Sequence, residues 1–221
     1  MRRKLCDRES LTVQRHFFHL SSVQGSRRPI EAFAFDLDST LTRPYLDFSR
    51  LRARLGCPEG DILRWAEALP ERSRIEALAV IAAFEEDGVE QAEWNDGAEQ
   101  TLAEIQGLGF PVAIITRNSR ASLIAVSRQL GIRVNAMVSR DDAAPKPNPA
   151  GVRLAATALG VEVRAMLMVG DFRHDIQAGR AAGAMTVLLT NGKDFSSSVK
   201  PDLIISRLPE LLVYIETETF V

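Results

Sequence analysis

The sequence predicts an α/β protein: a Rossmann-like parallel sheet flanked by helices, carrying a small inserted all-helical cap. Three observations predict it. From Pro29 onward, short apolar runs alternate with amphipathic stretches, as in a chain of βαβ units. Gly109, Gly131, Gly160 and Gly183 each stand just behind an amphipathic stretch, where a helix ends on a left-handed residue. Residues 43–95 break this rhythm with helical patterns and no strand, in a segment too long for an ordinary loop.

In chain order, residues 1–28 stand apart. They hold Arg2, Arg3, Lys4, Arg8, Arg15, Arg27 and Arg28 against Asp7 and Glu9, and lack the apolar core of a secretory signal. A disordered basic extension is expected there, with an organellar transit peptide as the less favoured reading. The α/β core is expected over 29–42 and 96–221, and the cap over 43–95. Apolar runs place strands at Glu31–Phe35, Pro111–Thr116, Asn135–Ser139, Met166–Val169, Met185–Leu189 and Leu203–Ile205. Core helices are expected near Ala98–Leu108, Ser119–Leu130, Ala150–Leu159 and Ile176–Ala182. Cap helices are expected near Phe48–Leu55, Asp61–Ala68 and Arg74–Glu86. Trp65 and Trp94 read as packing residues of the cap and its hinge.

Composition narrows the chemistry. The 221 residues are 46% apolar and 25% charged, ordinary for a globular domain, and the formal net charge of −2 gives no electrostatic case for nucleic acid or an anionic membrane. No apolar run approaches the roughly 20 residues that cross a bilayer. Cys6 and Cys57 are far apart and lack metal-ligand spacing, so a reducing, cytoplasmic location is expected. His16, His19 and His174 form no cluster, which leaves zinc hydrolysis and Ser-His-Asp chemistry without support.

Carboxylates at strand ends carry the positive signal. Asp36 and Asp38 follow the first strand and, two residues apart on extended backbone, point to one side. They stand at a carboxyl end, where open α/β sheets bind ligands. Asp171 and Asp175 follow another apolar run; either could simply cap the next helix, but capping needs one acceptor and the chain supplies two. Four acids at two strand ends suggest a hard cation with oxygen ligands, Mg²⁺ before others. Lys146 is held between Pro145 and Pro147 in a chain with four lysines against 23 arginines, and a compact ammonium can pair with a carboxylate and a phosphate oxygen together. Thr116, Arg117 and Asn118 end a strand and open a helix, a place that suits phosphate as well as routine capping.

These four pieces, in this order, resemble the haloacid dehalogenase superfamily of phosphohydrolases over Glu31–Leu212, about four-fifths of the chain. The resemblance implies that Asp36 is the nucleophile and Asp38 the general acid/base. It implies that Thr116 binds phosphate, with Arg117 and Asn118 beside it, and that Lys146 balances charge. Mg²⁺ would be held by Asp36, by the backbone carbonyl of Asp38, by Asp171 and, through water, by Asp175. The family usually has glycine after the second aspartate, where this chain has Ser39. The small helical insert is similar to the caps of phosphoglycolate-phosphatase-like members. Asp47–Leu63, with Thr116-Arg117-Asn118, looks similar to a bacterial and plant subgroup.

The implied function is Mg-dependent hydrolysis of a small phosphorylated metabolite through an aspartyl phosphate. Dehalogenases lack an aspartate at the position of Asp38, and the absence of lysine from residues 43–95 argues against phosphonate hydrolysis through a Schiff base. A phosphomutase or phosphotransferase uses the same aspartate pair and stays open. A non-catalytic scaffold of this fold is disfavoured by the presence of Asp36, Asp38, Lys146 and Asp171. Arg43, Arg50 and Arg117 are the candidates for leaving-group recognition.

Overall fold

The computed structural model describes residues 17–20, 29–194, 199–213 and 215–218. Within the basic extension, Phe17–Leu20 form strand β1. Cys6, His16 and the rest of residues 1–28 lie outside the described residues. β1 pairs antiparallel with β2 (Pro29–Ile30) and with a C-terminal strand, Ile215–Glu218, in a small separate sheet.

The chain then enters β3 (Ala32–Phe35) and leaves it for three cap helices, α1 (Phe48–Leu55), α2 (Ile62–Glu67) and α3 (Glu71–Gly88). It returns through α4 (Ala98–Gly107), β4 (Val112–Ile115), α5 (Arg120–Gln129), β5 (Ala136–Val138) and α6 (Ala150–Leu159). β6 (Met166–Gly170), α7 (Arg173–Ala182), β7 (Met185–Leu189), β8 (Leu203–Ile205) and the short α8 (Glu210–Val213) follow, and β9 is the Ile215–Glu218 strand. The six strands expected from the apolar runs are all present. They form one parallel sheet in the order β5-β4-β3-β6-β7-β8.

The sheet is buried on both faces, and strand alternation divides its side chains by size. Phe33, Phe35, Val112, Ile114, Leu167 and Val169 face one layer, which α4, α5 and α8 fill with Leu102, Ile105, Leu123 and Leu211. Ala32, Ala34, Ala113, Met166 and Met168 face the other, where Val152, Ala155 and Ala178 of α6 and α7 pack. The small residues of the second face admit the helices closely. The first face holds the bulk, including an edge-to-face pair of Phe33 and Phe110 with centroids 5.2 Å apart.

The cap has its own core of Leu51, Ile62, Leu63, Ala66, Ala77 and Ile81. Asp47 caps α1, accepting from Ser49 N and Arg50 N, and Asp61 caps α2, accepting from Arg64 N. α3 starts and ends beyond the expected Arg74–Glu86, because Pro70 sets an extended entry and Gly88 carries the helix against Tyr45 and Leu46. The cap joins the core through a narrow neck. Thr42 bridges Trp94 antiparallel, Arg43 N donates to Glu93 O at 2.9 Å, and Asn95 N donates to Leu41 O at 2.9 Å. Trp94 packs on the main core beside this neck and Trp65 against the cap core, as expected of packing residues.

Candidate active site

β3 lies at the point where the chain turns first to β4 and β5 on one side and then to β6, β7 and β8 on the other. Such a switch opens a crevice at the carboxyl ends of the central strands. Asp36 follows β3, Thr116 follows β4 and Asp171 follows β6, so sheet order alone gathers three of the sequence candidates. Lys146 arrives from the β5–α6 loop. The crevice is roofed by the cap and encloses a cavity of about 560 Å³, lined by Asp36, Asp38, Asn118, Lys146, Asp171 and Asp175 among others.

The centre is a buried lysine among carboxylates. Lys146 Nζ lies 2.6 Å from Asp36 Oδ1 and 2.6 Å from Asp175 Oδ1, and donates to Ile115 O at 2.6 Å. Burial works against the ammonium, yet the Asp175 and Asp36 carboxylates outweigh it and lift its pKa above the usual lysine value. Asp36, Asp171 and Asp175 bring carboxylate oxygens within 4.8 Å of one another. Burial, and then the neighbouring carboxylates, push Asp36 well above the normal range although Lys146 opposes them; Asp171 rises to about 7 through burial and the charge of Asp175. Three carboxylates facing one ammonium leave an excess of negative charge. An oxygen-only donor set with that excess fits a hard divalent cation.

Asp175 has two partners. Its Oδ2 accepts from Phe172 N at 3.0 Å, which caps α7 and starts that helix at Arg173 rather than Ile176, while its Oδ1 meets Lys146. The capping and charge-pairing readings of this residue are thus both realised. Gly170 makes the approach possible: a Cβ there would lie 2.2 Å from Asp175 Cγ.

Asp38 stands on a wide turn closed by Thr42 N donating to Leu37 O at 2.9 Å. Burial raises its carboxyl to about 6, assisted by the charge of Glu85 and opposed by the Tyr45 hydroxyl, Asn118 and Lys146. Asp38 Oδ1 and Asn118 Nδ2 are both buried without a hydrogen-bond partner. Thr116 is buried, and its Oγ1 accepts from Asn118 N at 3.1 Å, curling the loop that precedes α5. A buried amide donor without an acceptor, at a helix entrance beside a lysine, suits an anion with several oxygens.

Cap residues complete the wall. Asp61 Oδ1 lies 2.6 Å from Arg117 Nη2, and Arg117 Nη1 lies 2.6 Å from His174 Nδ1. Burial raises the Asp61 carboxyl, but its bond to Arg117 more than offsets this and holds it below the usual range; burial and Arg117 lower His174. Glu85 of α3 pairs with Arg140 at 2.5 Å and accepts from Ser119 N at 3.0 Å. Burial nevertheless keeps the Glu85 carboxyl above its normal range.

Of the arginines expected near the leaving group, Arg117 lines the cavity. Arg43 instead pairs with Glu93 and Asp96 at the exposed neck, and Arg50 is exposed on α1. Asp61, Glu85, Tyr45 and His174 were not legible as site residues. Two of them carried a local signal of another kind: Asp61 read as a helix start, and His174 sat between Asp171 and Asp175.

A family model described as haloacid dehalogenase-like hydrolase matches residues 45–183. A phosphoglycolate phosphatase of Neisseria meningitidis is 37% identical over 122 residues, 51% of this chain and 52% of that protein. The match thus spans about half the length of that relative. A haloacid dehalogenase-like hydrolase domain-containing protein of Arabidopsis thaliana is 28% identical over 87% of this chain and 86% of its own length. A hydrolase from Pseudomonas syringae shares the fold with a TM-score of 0.73 at 22% identity, covering 83% of this chain and 96% of that one. With the lysine–carboxylate centre at the switch of its parallel sheet, and with a family match across most of its length, the chain belongs to the haloacid dehalogenase-like hydrolases and resembles their phosphoglycolate phosphatases.

Proposed function

We propose that the chain is a Mg²⁺-dependent phosphatase that hydrolyses a small phosphate monoester through an aspartyl phosphate on Asp36. The observation that carries this reading is the buried Lys146 ammonium, 2.6 Å from both Asp36 and Asp175 in a cluster of three carboxylates. Such a centre holds one cation of its own and has charge left for another.

Asp36, Asp171 and Asp175, with the backbone carbonyl of Asp38, would hold the metal. When bound, Mg²⁺ supplies Lewis-acid stabilisation of the phosphoryl oxygens. The chain's own groups do the rest. Lys146 and the Asn118 amide, with Thr116 and Arg117 on the same loop, bind the phosphoryl oxygens and orient phosphorus toward Asp36. The Asp36 carboxylate forms a bond to phosphorus as the ester P–O bond breaks, and Asp38 gives its proton to the departing alkoxide. A carboxyl lifted to about 6 by burial retains that proton far better than an exposed aspartate. Water then attacks phosphorus, losing its proton to the Asp38 carboxylate, and inorganic phosphate leaves as Asp36 is restored. Small phosphorylated metabolites fit the cavity of about 560 Å³.

The test is release of inorganic phosphate from p-nitrophenyl phosphate by the wild type with Mg²⁺, by the wild type with EDTA, and by Asp36→Asn. Activity in the first assay alone is expected. Equal rates in all three would overturn the proposal.

A further inference from the structure

Arg117 is held from three directions; one hold comes from the cap directly, and a second is backed by the cap through Glu85. Its Nη2 meets Asp61 Oδ1 at 2.6 Å, its Nη1 lies 2.6 Å from His174 Nδ1, and its carbonyl accepts from Arg140 Nη1 at 2.9 Å. Arg140 is itself fixed by Glu85 of α3. Asp61 belongs to the cap, Arg117 to the loop after β4, and His174 to the first turn of α7 beside Asp175. His174 Nε2 lies 3.7 Å from Asp61 Oδ2, so the three side chains close a triangle in the cavity wall. Asp61 also caps α2 through Arg64 N at 3.2 Å, which ties its carboxylate to the cap as a rigid body. One nitrogen of the guanidinium is left over: Arg117 Nε is buried and has no hydrogen-bond partner. An orphaned donor of a charged group is costly unless an acceptor completes it, and Arg117 lines the cavity that would hold that acceptor.

We propose that Asp61 is a positioning residue of the cap, which clasps Arg117 when the cap is shut and presents the guanidinium to an oxygen of the bound phosphate ester. The proposal rests on the phosphatase reading above. It assigns to the cap a share in anion binding: an open cap takes Asp61 away from Arg117 and leaves the guanidinium on His174 alone, and a shut cap fixes it beside Thr116 and Asn118. An arginine fixed in this way holds the phosphate group equally before and during reaction, so its loss appears in KM more than in kcat.

Asparagine caps a helix as well as aspartate does, so Asp61→Asn removes the charge and keeps the start of α2. The expected result is a KM about tenfold higher with kcat within about twofold, since one charge-assisted bond to the phosphate is lost. The affinity for the competitive inhibitor vanadate should weaken by a similar factor, while the circular-dichroism spectrum at the assay temperature should remain that of the folded wild type. Asp61→Glu should recover part of the lost affinity. In an Arg117→Gln background Asp61→Asn should have no further effect, because its action passes through Arg117. A wild-type KM in Asp61→Asn, or an equal rise in KM with and without Arg117, would overturn the clasp. Failure of the wild type to release phosphate would instead overturn the phosphatase reading, so the two failures are separable.

Discussion

Ser39 occupies φ 61, ψ 3, the left-handed region where a Cβ is a burden and glycine is at ease. Asn95 Nδ2 and Asn191 Nδ2 donate to its carbonyl, at 3.4 Å and 2.8 Å, and hold the turn in place despite that burden. Ser39→Gly should therefore leave the turn intact and raise stability by about 0.5–1 kcal/mol in urea unfolding; destabilisation would mean that the serine side chain contributes something the geometry does not reveal. Asp38 carries a larger burden. Its carboxyl titrates near 6 in the folded protein against 3.8 when free, so below about pH 4 it is protonated in both states and adds nothing. Above pH 6 it is ionised in both, and the folded state bears up to about 3 kcal/mol, with stability lost as pH rises between the two values. In EDTA, Asp38→Asn should stabilise the protein by that order at pH 7 and not at pH 3.5, while slowing hydrolysis of an alkyl phosphate at least about 100-fold. A gain independent of pH would contradict the assigned cause.

At the scale of elements, the strands and the core of the site were legible because each depends on neighbours in sequence. Runs such as Ala32–Phe35 and Met166–Gly170 are apolar because both faces of a parallel strand are buried, and the acids follow because strand ends meet the crevice. The start of α7 was misjudged by three residues, since it depends on Asp175 reaching back to Phe172 N. The links among Asp61, Arg117 and His174 and between Glu85 and Arg140 join residues at least 55 positions apart, and no local pattern records them. Arg43 misled for the complementary reason: nearness in sequence to Asp38 does not survive the turn into the neck. The β6–α7 junction also makes a prediction. Gly170→Ala must displace Asp175, whose side chain fills the space a methyl would need, so both the Lys146 pairing and the α7 cap suffer. A loss of at least about 2 kcal/mol in stability is expected, with weakened Mg²⁺ binding by calorimetry. Unchanged binding would show that the junction yields more readily than its packing suggests.

For the whole molecule, cap and core are bound to each other by buried charge. Glu85 and Arg140 are each less than a tenth exposed, and Glu85 Oε2 also receives Ser119 N at the entrance of α5. Removal of one partner strands the other in a low dielectric, so Glu85→Ala should cost about 3–5 kcal/mol in urea unfolding. A cost below about 1 kcal/mol would mean that water reaches Arg140 once the carboxylate is gone. Among the described residues no helix is long and apolar enough to cross a membrane.

The neck bears on how such a molecule can change. Thr42 and Trp94 face each other as paired backbone, so the chain leaves the core and re-enters it at almost one place. The intervening helices behave as a cassette: a tight hairpin or a foreign lid could be spliced between those two residues without moving either end. That cassette is not free of the chemistry, because Asp61, Glu85 and Tyr45 reach out of it to Arg117, Arg140 and Asp38, so a replacement must supply the same contacts if the reacting groups are to keep their places.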